Sequence, residues 1–377
     1  MKKNIFVFLL SLVVMLNVIP CSHGQASDKE FEIVCGTLVA YNGKSKNVKV
    51  PEGVSVIGKN AFSGNKTVTS VELPYGVTRI SDEAFADCKR LKSVTFPGSL
   101  QFIGNNAFTN SGLTRADIPD SVTFLGSGAF DRCRKLKSVT WPKSVTKIPE
   151  MIFEGCVRLT KISIPSNVAE IGNGAFYGSG LRSVRIPKKV KVIGSTAFME
   201  CNDLATVTGG KGITKCDSSA FDGTPWLEEK KKEGMVILGS SCINGGCSKG
   251  KIKIPKNVTR IEDYAFSQNA SITGIKIPDS VTYIGNYAFF SCTGIKKVTI
   301  PKNVRTVGEF AFAWCTSIKS LNLKCSGGWL CGYAFGDCTS LTDVKYTDNV
   351  SGEFYATFYN TPWLRKHPEE ERAHLFR

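Results

Sequence analysis

The chain reads as a repeat solenoid, mostly β and loop, in which short parallel strands stack coil upon coil. Three observations point there. A phenylalanine recurs at Phe62, Phe85, Phe108, Phe130, Phe153, Phe176, Phe198 and Phe221, then at Phe266, Phe289, Phe312, Phe335 and Phe358, in steps of 22 or 23 residues with one step of 45. Ala precedes it in eleven of the thirteen places, Ile152 and Thr357 being the exceptions. A proline closes a short apolar alternation at positions 51, 74, 97, 119, 142, 165, 187, 255, 278 and 301. A period of this size marks a stacked array whose units each touch only their neighbours.

Each element of the unit follows from local chemistry. In the unit from Leu91 to Phe108, Val94 and Phe96 fall on one face of an extended segment and Thr95 on the other. Strands are therefore expected at 94–96, 116–118 and 139–141. Pro97 ends the strand because it has no N–H to give a ladder. The Ile103-Gly104 pair turns the chain, and Ala107-Phe108 fills the coil. Where the step shortens to 22, the chain reads Ser111-Gly112-Leu113 or Ser179-Gly180-Leu181, so one residue is lost in a turn and the core positions keep their place. One coil cannot bury its own apolar face, but thirteen stacked at about 4.8 Å share a core on the order of 60 Å long.

The long step conceals a seam. Phe221 and Phe358 are each followed by Thr-Pro-Trp-Leu, at 224–227 and 361–364, and a charged run from Glu228 to Glu233 follows the first. The organisation expected is a signal peptide over 1–24, a first array over 31–229, a seam with an opening module over 230–255, a second array over 256–367 and a tail over 368–377. Each array opens on a short hairpin, with Tyr41-Asn42-Gly43 and Asn244-Gly245-Gly246 as its turns. Lys2 and Lys3 before an apolar run give residues 1–24 the form of an export signal, too short for a comfortable membrane span. Cys21 admits a lipid-anchored reading beside simple secretion, although Pro20 stands where a lipobox wants a small residue.

These motifs resemble the BspA-like, or Treponema pallidum-type, leucine-rich repeat family over roughly residues 31–365. The strand, proline, Ile-Gly, Ala-Phe and Cys of its pattern are all present, as in Leu136-Lys137-Ser138-Val139-Thr140-Trp141-Pro142. The resemblance implies a right-handed coil with its parallel sheet on the concave face. It also implies a secreted or surface protein of a host-associated microbe. Several members of the family are adhesins for host matrix or epithelial cells, and others have no known role. A structural protein of the envelope without a host ligand is the alternative.

Charge and residue types narrow the chemistry. The formal charge is +16, which favours acidic partners such as sulfated glycans or anionic protein surfaces, while an export signal disfavours nucleic acid. Of 14 cysteines, Cys88, Cys133, Cys156, Cys201, Cys292, Cys315 and Cys338 sit three residues after the repeat Phe, as small core residues bonding to turn backbone. Cys242 with Cys247 is the best disulfide candidate. The three histidines are His23, His367 and His374, so the array itself carries no Ser-His, Cys-His or His-metal constellation. No enzyme, cofactor or metal is expected.

A ligand would meet the outward columns of the strands. One reads Lys49, Glu72, Thr95, Asp117, Thr140, Ser163, Arg185, Thr208, then Lys253, Lys276, Thr299, Asn322, Lys345, and beside it stand Lys161 and Lys297. The candidate binding residues on the concave face are thus Lys161, Arg185, Lys253, Lys276, Lys297 and Lys345, with the second array expected to carry most of the electrostatic attraction.

Overall fold

A computed structural model describes residues 30–368, apart from 326, 348, 349 and 353. The signal peptide, Cys21, His23, His374 and the tail beyond 368 lie outside the described residues. The chain forms a solenoid of strands and turns with few helices. Most coils contribute not one strand but two. The first is the strand before the proline, as in Asn47–Lys49, Ser70–Glu72 and Ser93–Thr95, which pair in parallel with Val48 opposite Val71 and Val71 opposite Val94. It begins one residue earlier than expected, at 93, 115 and 138. The inward residue before the proline still bonds onward, Leu73 N–H to Thr95 O at 3.4 Å, but the proline after it cannot donate, so regular pairing stops there.

The second strand is only two residues long and was not foreseen. Val56–Ile57, Arg79–Ile80, Phe102–Ile103 and Phe124–Leu125 form a second parallel ladder. The residue after each extends it, Ser81 N–H reaching Ile57 O at 2.9 Å and Gly104 N–H reaching Ile80 O at 2.8 Å. A side chain at Gly104 would meet the Asp82 amide nitrogen at 2.6 Å, so close stacking requires glycine there.

The phenylalanines stack face to face down the axis, 4.7 Å from Phe62 to Phe85 and 5.0 Å from Phe85 to Phe108, all fully buried. Each column cysteine donates from its thiol to the phenylalanine carbonyl one coil back, Cys88 to Phe62 O at 3.0 Å and Cys315 to Phe289 O at 3.1 Å. Burial pushes these thiols up, to about 12 for Cys88, Cys133, Cys292 and Cys338.

The opening hairpins exist, but they turn elsewhere than expected. Phe31–Val34 pairs with Thr37–Tyr41 around Cys35-Gly36, and Val236–Leu238 pairs with Ser241–Asn244 around Gly239-Ser240. Cys35 and Gly36 take φ of 50° and 71°, the left-handed pair that a tight hairpin needs. The closing motifs start helices at Pro225–Glu233 and Pro362–Lys366, each with its threonine hydroxyl accepting from the leucine N–H at 3.2 Å. Trp226 and Trp363 lie against the last phenylalanines, at 4.8 and 4.9 Å.

Two apolar cores result, one ending with Val236, Leu238 and Ile243, the other beginning with Cys242 and Ile252. Across the seam, Ser240 N–H bonds to Ile213 O at 3.0 Å and Cys216 N–H to Ser241 Oγ at 3.1 Å. Buried Glu262 accepts from Ser241 and from two nitrogens of Arg260, at 3.0 and 3.2 Å. Among the described residues no helix is long and apolar enough to cross a membrane.

Candidate functional site, a basic opening in the first array

One coil departs from the pattern in three places. Trp141 stands where its neighbours place Ile118 and Ile164, Pro149 stands where they place Gly126 and Gly172, and Ile152 replaces the alanine before Phe153. The consequences fall on both ladders. Gly126 N–H donates to Ile103 O at 2.8 Å and Gly172 N–H to Ile148 O at 2.9 Å. Pro149 has no N–H to offer Leu125. The two-residue ladder accordingly stops at Phe124–Leu125 and restarts at Lys147–Ile148.

On the other side of the same region, Ser138–Thr140 pairs back to Arg115–Asp117, yet 161–164 forms no strand, and the next pairing is Ser183–Ile186 with Thr206–Gly209. Trp141 wedges this side. Its indole is buried edge-on against Phe153 at 5.5 Å, and among the described residues its ring nitrogen has no hydrogen-bond partner. The ring stack widens here, to 5.7 Å for Phe130–Phe153 and 5.8 Å for Phe153–Phe176, with tilts of 18° and 23°.

Beside this break lies a groove of about 900 Å³. Its floor is apolar, made by Val139, Ile162, Ile164, Ile186 and Pro187. Ser138, Ser163 and Ser166 add hydroxyls. Around them stand Lys137, Lys161, Arg185, Lys188 and Lys211, and no Asp or Glu lines the space. The far end stays open because Gly209 and Gly210 replace the usual Ile and Pro. At Gly209, φ is 83° and a Cβ would fall 2.2 Å from the Ile186 carbonyl oxygen.

Some other cations on this face of the first array have acids beside them. Lys49 lies 3.7 Å from Glu72, and Arg115 lies 2.5 Å from Asp117. Among the described residues none of the five groove cations has an ion-pair partner. Such cations on successive coils stand about 5–10 Å apart by strand spacing. That is near the Debye length of about 8 Å at physiological salt, so they act together on one acidic partner.

The candidate residues read from sequence separate into groups. Lys161 and Arg185 share the groove. Lys253 and Lys276 stand directly opposite each other in parallel strands. Lys297 aligns with Ser320, and Ser320 with Asp343, so its line ends on an acid. Lys345 aligns with Asn322, away from the other lysines of its column. Sequence reasoning passed over Lys137, Lys188 and Lys211, which lie outside the two columns it followed. The signal was the clustering of Trp141, Pro149 and Ile152 in one coil.

Cys242 and Cys247, the disulfide candidate, are both free thiols. Cys242 points into the second core, and burial pushes its thiol up to about 12. Cys247 is exposed beyond the turn, its thiol donating to Lys232 O at 3.3 Å. The two side chains leave the segment in different directions. Among the described residues no group of three His, Cys, Asp or Glu side chains could hold a metal ion.

The second array holds a feature that its strand columns hide. Tyr264, Tyr287, Phe310 and Tyr333 form an exterior stack at 4.9, 5.0 and 5.1 Å, with interplanar angles of 1°, 10° and 3°. All four have φ between 54° and 57°, a left-handed backbone that bulky residues rarely adopt.

The repeat pattern matches a known family. The model of the BspA type leucine rich repeat region matches in six copies, over residues 40–137, 125–245 and 236–365. A leucine rich cell surface protein from Faecalibacterium prausnitzii A2-165 is 30% identical, covering 88% of this chain and 90% of its own, with a TM-score of 0.46. A leucine-rich repeat protein from Bacteroides ovatus is 20% identical over 89% of this chain and 85% of its own, with a TM-score of 0.48. The leucine rich repeat protein of T. pallidum is 15% identical over 83% and 89%, with a TM-score of 0.17. No curated protein matches the chain. With its repeats phased from one end of the array to the other, this chain belongs to the BspA-type leucine-rich repeat family.

Proposed function

We propose that this protein is an exported, non-catalytic binding module that works at the cell surface or as a secreted protein, and that it engages a host protein, in the manner of an adhesin. The observation that carries this reading is the groove in which five basic side chains face no acid. Uncompensated like charge raises the energy of the free protein, and an acidic partner relieves it. The similarity to a cell surface protein of F. prausnitzii supports the location. Lys253, Lys276, Lys297 and Lys345 extend the basic surface into the second array, where an acidic glycan is a further class of partner.

The test is binding of the chain without residues 1–24 to immobilised matrix proteins and to heparin over a range of salt. Charge reversal at Lys161 and Arg185 is compared with reversal at Lys276 and Lys297. Retention that falls with salt and falls more for the first pair supports the reading. Equal retention of both variants and the parent chain overturns it.

A further inference from the structure

Resting on that reading of the first-array face, we infer that the groove beside Lys161 and Arg185 takes an extended segment of a partner protein that alternates acidic and apolar side chains. Three features select a peptide over a polyanion. The first is the missing backbone pairing. In several coils the residue before the proline donates to the next coil, as Val50 N–H does to Glu72 O at 3.0 Å and Ile118 N–H to Thr140 O at 3.2 Å, while among the described residues Phe96 and Ile277 make no such bond. Among the described residues the corresponding bonds from Trp141 to Ser163 and from Ile164 to Arg185 are not formed. Backbone groups left without partners are the kind that the N–H and C=O of a peptide lying across them can satisfy, and a sulfated sugar offers no such regular set.

The second feature is the floor. Ile162 and Ile164 lie between the cations in the same groove. A sulfated sugar has little use for aliphatic surface, whereas a peptide side chain gains about 25 cal/mol for each Å² it buries there. The third is size. The groove crosses the coils of residues 139, 162, 186 and 209, roughly 14 Å at strand spacing, which is the length of four or five extended residues. An extended chain presents side chains alternately to opposite sides, so apolar residues meet the floor while the acidic ones between them reach the basic rim.

The experiment uses the chain without residues 1–24 and three fluorescent probes: a ten-residue peptide alternating Glu and Ile, a ten-residue poly-Glu peptide, and a heparin hexasaccharide. Binding is followed by anisotropy at two salt concentrations. The variants are Lys161→Glu with Arg185→Glu, Ile162→Asn, and Lys276→Glu with Lys297→Glu, with melting curves to confirm folding. The alternating peptide is expected to bind at least tenfold more tightly than poly-Glu. It should lose at least tenfold with the first double variant and with Ile162→Asn, and lose several-fold less with the last.

If the hexasaccharide binds and the alternating peptide does not, and Lys161→Glu with Arg185→Glu abolishes that binding, the peptide inference is overturned while the basic face stands. If poly-Glu equals the alternating peptide, or Ile162→Asn has no effect, the inference is likewise overturned. If no probe responds to the first double variant, the reading of this face as a binding surface falls with it.

Discussion

The two arrays share one repeat but spend their exceptions differently. In the first array the left-handed position two residues before the phenylalanine is held, in every coil but that of Phe221, by Asn60, Glu83, Asn106, Gly128, Met151, Gly174 and Thr196, mostly small or polar. In the second it is held by Tyr264, Tyr287, Phe310 and Tyr333. A left-handed backbone costs about 1–2 kcal/mol at each non-glycine residue. Aromatic pairs return about 0.5–1.5 kcal/mol each beyond their buried area, so the stack offsets much of that cost. The second array also keeps its two-residue ladder unbroken through seven strands, from Val236–Leu238 to Ser351–Gly352. The first breaks both ladders around Pro149 and Trp141. The ladder of longer strands is interrupted in both arrays, between Ile272–Lys276 and Lys297–Ile300 in the second and between Ser93–Thr95 and Arg115–Asp117 in the first, but within an array, among the described residues, only the region of Pro149 and Trp141 interrupts both ladders together. A solenoid tolerates this because each coil depends only on its neighbours.

The largest test of this contrast is to empty the core of each array. Phe153→Ala and Phe289→Ala are each expected to cost about 3–5 kcal/mol, the usual loss for a buried aromatic. Phe153 should sit at the lower end, because its stacking neighbours are 5.7 and 5.8 Å away, against 4.9 and 4.8 Å for Phe289. Urea unfolding monitored by tryptophan fluorescence measures both. A larger loss for Phe153 would contradict the picture of a loosened coil.

A smaller effect isolates the cause of the break. Pro149→Ala restores an N–H opposite Leu125, a gain of about 0.5–1.5 kcal/mol for the hydrogen bond. The greater freedom of the unfolded chain removes about 0.4–1 kcal/mol of it. Net stability should therefore change little, and the informative readout is hydrogen exchange. A slowly exchanging amide at position 149 means the ladder has closed. A fast one would make Trp141 and Ile152 the cause.

The cysteines give the smallest effect and the control, because here the two arrays are alike. Burial raises the thiols of Cys88, Cys133, Cys292 and Cys338 from 9.0 to about 12, so the folded chain holds them protonated. A pKa raised by folding contributes stability that is fully present below pH 9 and is lost as pH rises toward 12. Both arrays should therefore weaken together above pH 9 in melting experiments. At pH 8 iodoacetamide should label exposed Cys247 quickly and the column only as fast as the chain unfolds. Quick labelling of any column cysteine would show that its array opens locally.

Much of this molecule was legible in its residues. The phenylalanine column, the proline stops, the cysteine slot and the Thr-Pro-Trp-Leu closures each express short-range chemistry repeated in register, and all of them appear in the fold. The second ladder was hidden because two residues show no periodicity, and their strand exists only by pairing with a segment 22 or 23 residues away. The hairpin turns were misplaced because Asn42-Gly43 and Asn244-Gly245 are good turn sequences. The backbone instead turns at Cys35-Gly36 and Gly239-Ser240, which brings Leu38 N–H and C=O, and those of Cys242, into the ladders of the following coils.

Sequence by itself determined the family, the solenoid and the identity of its core, because each depends on a pattern that repeats along the chain. Tertiary structure alone decided where the array opens and which basic side chains meet there. Pro149 matters through a hydrogen bond that Leu125 does not receive, and Lys137, Lys161, Arg185 and Lys211 belong to four different coils. Whether a charge is compensated depends on what stands opposite it in the next coil, and that is a property of the stack rather than of the chain.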